Sequence, residues 1–279
     1  MEEDSAMTVY NGSAITDAKK NPFSIKVGLA QMLRRGAILE VTILQQAKIA
    51  EDAGACYIMV AEPTRQGIRR MPDPSLIKDI KRAVSIPSEI LATANEDNFI
   101  NKHNFRCPFI CRCQNLGEAL RRVREGAAMI RTQGEVLGHG NIAETVRNVR
   151  NVRNVMKEVR VLNNMDEDEV FAFAKKKAAP CDLVAQTKQM GRLPVAQFAA
   201  GGIVTPADAA LMMQLVCDGI FAGNEVFYSA EPNKLVRAIV QAVRHYNDPH
   251  VLVESICGLE DSIQEINPSE DRIQHFGRD

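Results

Sequence analysis

Five small or apolar residues, Gly126-Ala127-Ala128-Met129-Ile130, lead into Arg131-Thr132-Gln133-Gly134-Glu135 and on to Gly138-His139-Gly140-Asn141. This order reads as a short buried strand delivering polar side chains into a glycine-rich loop, where α/β folds put their ligands. Gly138 and Gly140 let backbone N–H groups come close to an anion, and Asn141 can cap the helix that follows, so the loop has the parts of a phosphate cradle. An ordinary turn ending in a helix cap has the same parts, and the glycines alone do not separate the two.

Other groupings invite chemistry and meet plainer explanations. His103, Cys107, Cys111 and Cys113 are metal-donor types, but the cysteines lie in a strand pattern where buried free thiols are common, so neither metal nor cofactor is expected. Arg121, Arg122 and Arg124 share a helix with Glu118 and Glu125, which reads as an ion-paired face and not a nucleic-acid patch. Lys175-Lys176-Lys177 reads as a helix C-terminus meeting its dipole. Nothing around Lys188 marks it as a lowered-pKa nucleophile.

The elements that must position these residues alternate in type. Gly36–Val41 reads as a strand ending on Glu40, Gln45–Ala53 as its helix, Ala55–Val60 as a second strand and Pro74–Val84 as an amphipathic helix. This βαβα order predicts a parallel sheet. After Ser85-Ile86-Pro87 the pattern breaks: Ser88 to Ala92 passes straight to a polar run, with no room for a full strand and helix. Order resumes with a strand at 107–113, helices at 115–125, 142–156 and 166–177, and strands expected at Cys181–Gln186 and Val195–Ala200. Gly201-Gly202, a capped helix from Thr205, a strand at Gly219–Ala222 leading to Gly223-Asn224, and a helix from Pro232 to Tyr246 complete the pattern. Two late strands ending in glycine match the phosphate site that (β/α)8 barrels build after their last two strands. The expected fold is therefore a TIM-type barrel, a single domain over 1–279 with an N-terminal helical segment (8–36) and a tail (260–279).

The chain of 279 residues carries a formal net charge of −1 and is 46% hydrophobic, enough for one sizeable core and without the basic surplus of a nucleic-acid binder. No apolar run reaches membrane-spanning length and the start is acidic, so a cytoplasmic protein is expected. Seven cysteines then read as reduced thiols.

From Ala14-Ile15-Thr16-Asp17 onward the sequence resembles the PdxS/SNZ family, the synthase subunit of glutaminase-dependent pyridoxal 5′-phosphate synthase. The resemblance rests on Lys26 to Leu33, Asn101 to Arg106, Gly117 to Arg122, Arg124 to Thr132 and Thr205 to Leu215. It implies chemistry on ribose 5-phosphate, glyceraldehyde 3-phosphate and ammonia, through two lysines that hold the substrate as imines, because only an amine condenses with a carbonyl in this way. The family's first lysine belongs to a stretch missing after Pro87, a gap of roughly 25–30 residues, the size of a βαβ element. The second falls at Gln133, an amide without a nucleophilic amine.

Glu40 stands where the family has an active-site aspartate, and Asn224-Glu225 replaces a Ser-Gly pair, putting negative charge where phosphate sits. Gly138, Gly140, Arg150, Gly202 and Gly223 remain as phosphate or triose vestiges, and His103, Arg121, Arg122 and Lys188 mark a second phosphate region. The resemblance extends to a non-catalytic plant branch, through Gln133, Glu40, Arg69 to Pro74 and the ending Asp271 to Gly277.

This implies a pseudoenzyme subunit that joins active synthase homologues in mixed double-hexamer rings and binds sugar phosphates weakly or not at all. The glutaminase is a further candidate partner, through Ala14 to Leu33. Two alternatives stand beside it: an active synthase with a displaced nucleophile, and a truncated, non-functional product.

Overall fold

The computed structural model describes residues 22–61, 72–87, 91–92, 101–133 and 142–259. The glycines of the central loop, Gly138 and Gly140, lie outside the described residues, as do the segments 8–21, Arg69 to Met71 and 260–279. The chain divides into two compact units, each assembled from three separated stretches.

One unit takes Arg35–Ser88, Gly134–Arg150 and Ala199–Asp279. It holds β1 (Gly36–Val41), α2 (Leu44–Asp52), β2 (Tyr57–Val60) and α3 (Pro74–Ala83), then the first turns of the long helix α5 (Ile142–Asn163). It ends with α8 (Pro206–Gln214), β7 (Gly219–Ala222), a 3-10 segment Asn224–Tyr228, α9 (Pro232–Arg244) and α10 (Pro249–Ile256). β1 pairs in parallel with β2 on one side (Ile38 opposite Tyr57) and β7 on the other (Gly36 opposite Gly219), and the last residues of β6 (Ala196–Ala200) come next. All six residues of β1 and all four of β7 are buried, as expected of strands covered on both faces.

The other unit takes the chain before Arg35, Glu89–Gln133 and Asn151–Phe198. It contains α1 (Pro22–Gln31), the two-residue β3 (Leu91–Ala92), a 3-10 turn Lys102–Asn104, β4 (Phe109–Cys113), α4 (Leu116–Arg124) and β5 (Met129–Gln133). The body of α5 (Ile142–Asn163), α6 (Glu167–Lys177) and α7 (Cys181–Met190) follow. β4 pairs in parallel with β3 (Leu91 opposite Phe109) and with β5 (Ile110 opposite Met129), and the first residues of β6 lie beside β5.

The full strand order is β2-β1-β7-β6-β5-β4-β3, seven strands among the described residues, with β2 and the stub β3 as its ends. The fold is α/β with a parallel sheet, an incomplete TIM-type barrel. The break falls where expected: the Ile58 N–H donates to the Pro87 carbonyl at 3.2 Å, so the chain after α3 starts along β2 as a strand would. The Glu51 carboxylate, accepting from the Ser85 N–H and hydroxyl at 2.6 Å each, pins that start.

Cys181–Gln186, expected as a strand, is the first part of helix α7. Leu183, Val184 and Thr187 are its buried residues, a three- and four-residue spacing that marks one face of a helix. α5 runs to Asn163, about two turns past the expected end, and α10 went unforeseen because its eight residues bury none of their side chains.

Candidate functional site

In the first unit, Glu40, Gly202, Gly223 and Asn224 come together at the C-terminal ends of adjacent strands β1, β7 and β6, the end where parallel βα folds bind ligands. The turn after β6 has positive φ at Gly201 (93°) and Gly202 (68°). A Cβ on Gly202 would collide with the Thr145 backbone nitrogen and lie 2.6 Å from its Oγ1, so only glycine lets α5 approach.

Two side chains of α5 fasten that turn: Thr145 Oγ1 donates to the Gly202 carbonyl at 2.6 Å, and Asn148 Nδ2 to the Gly201 carbonyl at 3.1 Å. In a trans peptide the N–H points opposite to the C=O, so the N–H groups of Gly202 and Ile203 face away from α5. Successive N–H groups aimed one way make an anion-binding concavity. Thr145 and Asn148 were not singled out in the sequence; their three-residue spacing at the start of a helix was the available signal.

The loop after β7 packs a carboxylate against its own first glycine. Glu225 folds back over Gly223: a Cβ built on Gly223 would collide with Glu225 Oε2 and lie 2.7 Å from Cδ and 2.9 Å from Oε1. Asn224 Nδ2 donates to the Tyr228 hydroxyl at 3.1 Å. Desolvation around that hydroxyl, then the charges of Glu225 and Glu40, hold the phenol's pKa above its ordinary value. Glu40 is 6% exposed, so two carboxylates act on one small region. Arg150 is exposed, and standing two residues beyond Asn148 it turns toward the opposite side of α5.

In the second unit, Gln133 closes β5 as a buried residue, 2% exposed, with its Oε1 unpartnered and its backbone carbonyl accepting from Asn151 Nδ2 at 3.3 Å. Beside it Thr132 Oγ1 accepts from Gln197 Nε2 at 2.8 Å and contacts Cys113 Sγ at 3.8 Å. Burial pushes the Cys113 thiol up to about 12, so it remains protonated, a packed core thiol. Among the described residues no group of three His, Cys, Asp or Glu side chains could hold a metal ion.

The second phosphate region is tied into the unit's own ion pairs. Lys102 Nζ reaches Glu125 at 2.9 Å, and Arg122 reaches the same carboxylate at 3.2 Å and Glu118 at 3.9 Å. Burial opposes ionisation of Glu125, but hydrogen bonds from Lys102 and Arg122 win and hold its carboxyl below the ordinary value. Arg121 donates to the carbonyls of Lys177 and Ala178, capping α6, and Arg124 pairs with Asp182.

His103 bonds through Nε2 to the Arg124 carbonyl at 3.1 Å and stacks obliquely on Phe23. Lys26, 2% exposed on α1, donates to the carbonyls of Lys102 and Phe105 at 3.0 Å each. Lys188 lies near the C-terminus of α7, the helix that feeds the start of β6, and therefore away from that strand's C-terminal end.

The site and sheet together define a parallel βα-barrel type of protein whose ligand end lies at the strand C-termini. Residues 22–87 and 88–200 match the SOR/SNZ family, two stretches that abut in this sequence at the break after Pro87. The chain belongs to that family. It is 60% identical to the pyridoxal 5′-phosphate synthase-like subunit PDX1.2 of Arabidopsis thaliana, covering 99% of this chain and 96% of that one. It is 55% identical to subunit PDX1.3 of the same plant (99% and 98% covered), and 54% identical to a probable PDX1 subunit of Hevea brasiliensis (97% and 96%). The match to PDX1.2 spans 306 aligned positions against the 279 residues present, so at least 27 positions have no residue here.

Proposed function

We propose that this chain is a non-catalytic subunit of the pyridoxal 5′-phosphate synthase complex, supporting vitamin B6 formation by assembling with catalytically intact homologues. The observation that carries this reading is Gln133: the buried end of β5 offers an amide where imine chemistry needs an amine. By the resemblance, the stretch that would bring the other lysine is the one missing after Pro87, where the two matched ranges abut. The relatives named above are subunits of a synthase, and the glutaminase that feeds such a complex is the further expected partner. Mixed rings with active paralogues fit a scaffold that keeps most of its strands and helices while its reacting groups are replaced.

The test is co-expression with an intact homologue, followed by size exclusion with light scattering and a synthesis assay on the mixed peak. Co-elution in one ring-sized particle, with product formation abolished by mutating only the homologue's lysines, is expected. An adduct trapped on this chain by borohydride with ribose 5-phosphate would overturn the proposal.

A further inference from the structure

The segment that carries the chain out of α3 holds a serine with a basic approach. Lys81-Arg82-Ala83-Val84-Ser85 sets two cations three and four residues before the hydroxyl, and Lys81, Arg82, Ala83 and Ser85 are all exposed. Arg82 has only a loose link at 4.0 Å to Asp79, both side chains being well exposed, so its guanidinium remains accessible. The helix stops at Ala83, Val84 is already extended (φ −131°, ψ 151°), and Ile80 is the one buried residue of α3, so little holds this stretch against being drawn out into a cleft. The same serine is a fastening. Its hydroxyl and its N–H both donate to Glu51 Oε1 at 2.6 Å, and two residues on the Pro87 carbonyl accepts from the Ile58 N–H of β2 at 3.2 Å. The hydroxyl's hydrogen bond, then that of the N–H, holds the Glu51 carboxyl below its ordinary value, so it is ionised at neutral pH.

We infer that Ser85 is a phosphorylation site for a serine kinase that selects basic residues upstream, and that its modification releases the chain from β2. In the transfer Ser85 Oγ bonds to the γ-phosphorus of ATP, the bond from that phosphorus to the ADP oxygen breaks, and the hydroxyl proton goes to the kinase's carboxylate base. The product carries about −1.5 to −2 charges where a neutral donor stood. The hydroxyl's donation to Glu51 is lost, the phosphate repels that carboxylate, and it stands just past a helix C-terminus, where negative charge is unfavourable. Lys81 and Arg82 are the counter-charges beside it in sequence, so the phosphate turns from Glu51 toward the end of α3 and the chain at 85–87 leaves β2. β2 is an end of the sheet, and the release uncovers its flank.

The test incubates the folded full chain with Mg-ATP and the catalytic subunit of a cyclic AMP-dependent kinase, which reads basic residues upstream of serine, and maps phosphate by mass spectrometry. Phosphate on Ser85 is expected, absent from Ser85→Ala and added about tenfold more slowly to Arg82→Ala, which carries the test should Ser85→Ala fold poorly. The Ile58 amide of the phosphorylated chain is expected to exchange its hydrogen at least about tenfold faster than that of the unmodified chain, and Glu51→Gln, which removes the repulsion, to shrink that gain. No phosphate on Ser85, phosphate there only after heat denaturation, or unchanged exchange at Ile58 would overturn the inference.

Discussion

At the scale of single residues, the chain ties charged side chains into ion pairs with one another. Glu125 illustrates the consequence for pH. Its carboxyl is held below its ordinary 4.5 by Lys102 and Arg122 against the pull of burial, so the unfolded chain binds this proton more readily than the folded one. The stabilisation is present above about pH 4.5 and is lost as pH falls through the lower folded value. Glu125→Gln is therefore expected to lower the melting temperature at neutral pH and to shrink its fall on acidification, as read by scanning calorimetry from neutral pH downward.

Gln133→Lys supplies an amine at the end of β5, but the missing stretch still withholds its partner, so no product is expected in a synthesis assay of the variant alone. That position 133 offers an amide and no amine was readable from the sequence itself, and the structure adds that it is buried at the end of β5. The fastening roles of Thr145 and Asn148 were not readable there, since polar residues near a helix start have many uses and only the fold supplies Gly201 and Gly202 as their acceptors.

At the scale of elements, the glycine turn after β6 sets how α5 docks. Gly202→Ala would drive a Cβ into Thr145 at a positive φ, and a cost of about 1–3 kcal/mol is expected. That cost should register as a clear drop in melting temperature, and a further change at Thr145 should add little to it, because the fastening is already lost. Asp208 and Thr205 form a reciprocal cap on α8, with Thr205 Oγ1 accepting from the Asp208 N–H at 3.1 Å. Asp208→Ala should cost about 1 kcal/mol, checked by denaturant unfolding.

This cap and first-turn proline were legible as Thr205-Pro206-Ala207-Asp208, since capping is a local matter of adjacent residues. α7 was misread as a strand for the opposite reason. Leu183-Val184-Ala185 is a short apolar run that either period accommodates, and only the packing of Leu183, Val184 and Thr187 on one side decides it.

At the scale of the whole molecule, the parallel βα order and the interruption after Pro87 were both visible in the sequence. Buried parallel strands read as continuous apolar runs, and a missing βαβ leaves a stretch too short to hold one. The partition into two units was not visible, because it depends on which distant segments pack together. The strand order ends at β2 and the two-residue β3, and ends of a sheet carry backbone groups that seek partners. Grafting the corresponding βαβ of a PDX1 relative between Pro87 and Ser88 is expected to raise the melting temperature and reduce concentration-dependent aggregation, followed by light scattering during heating.

β1 finds its neighbour β7 across a long interval of chain, Gly36 standing opposite Gly219. At typical synthesis rates the ribosome needs roughly 10–40 s to travel between them. Throughout that interval the nascent β1 has one flank uncovered, a strand edge open to pairing with another chain until the C-terminal third emerges.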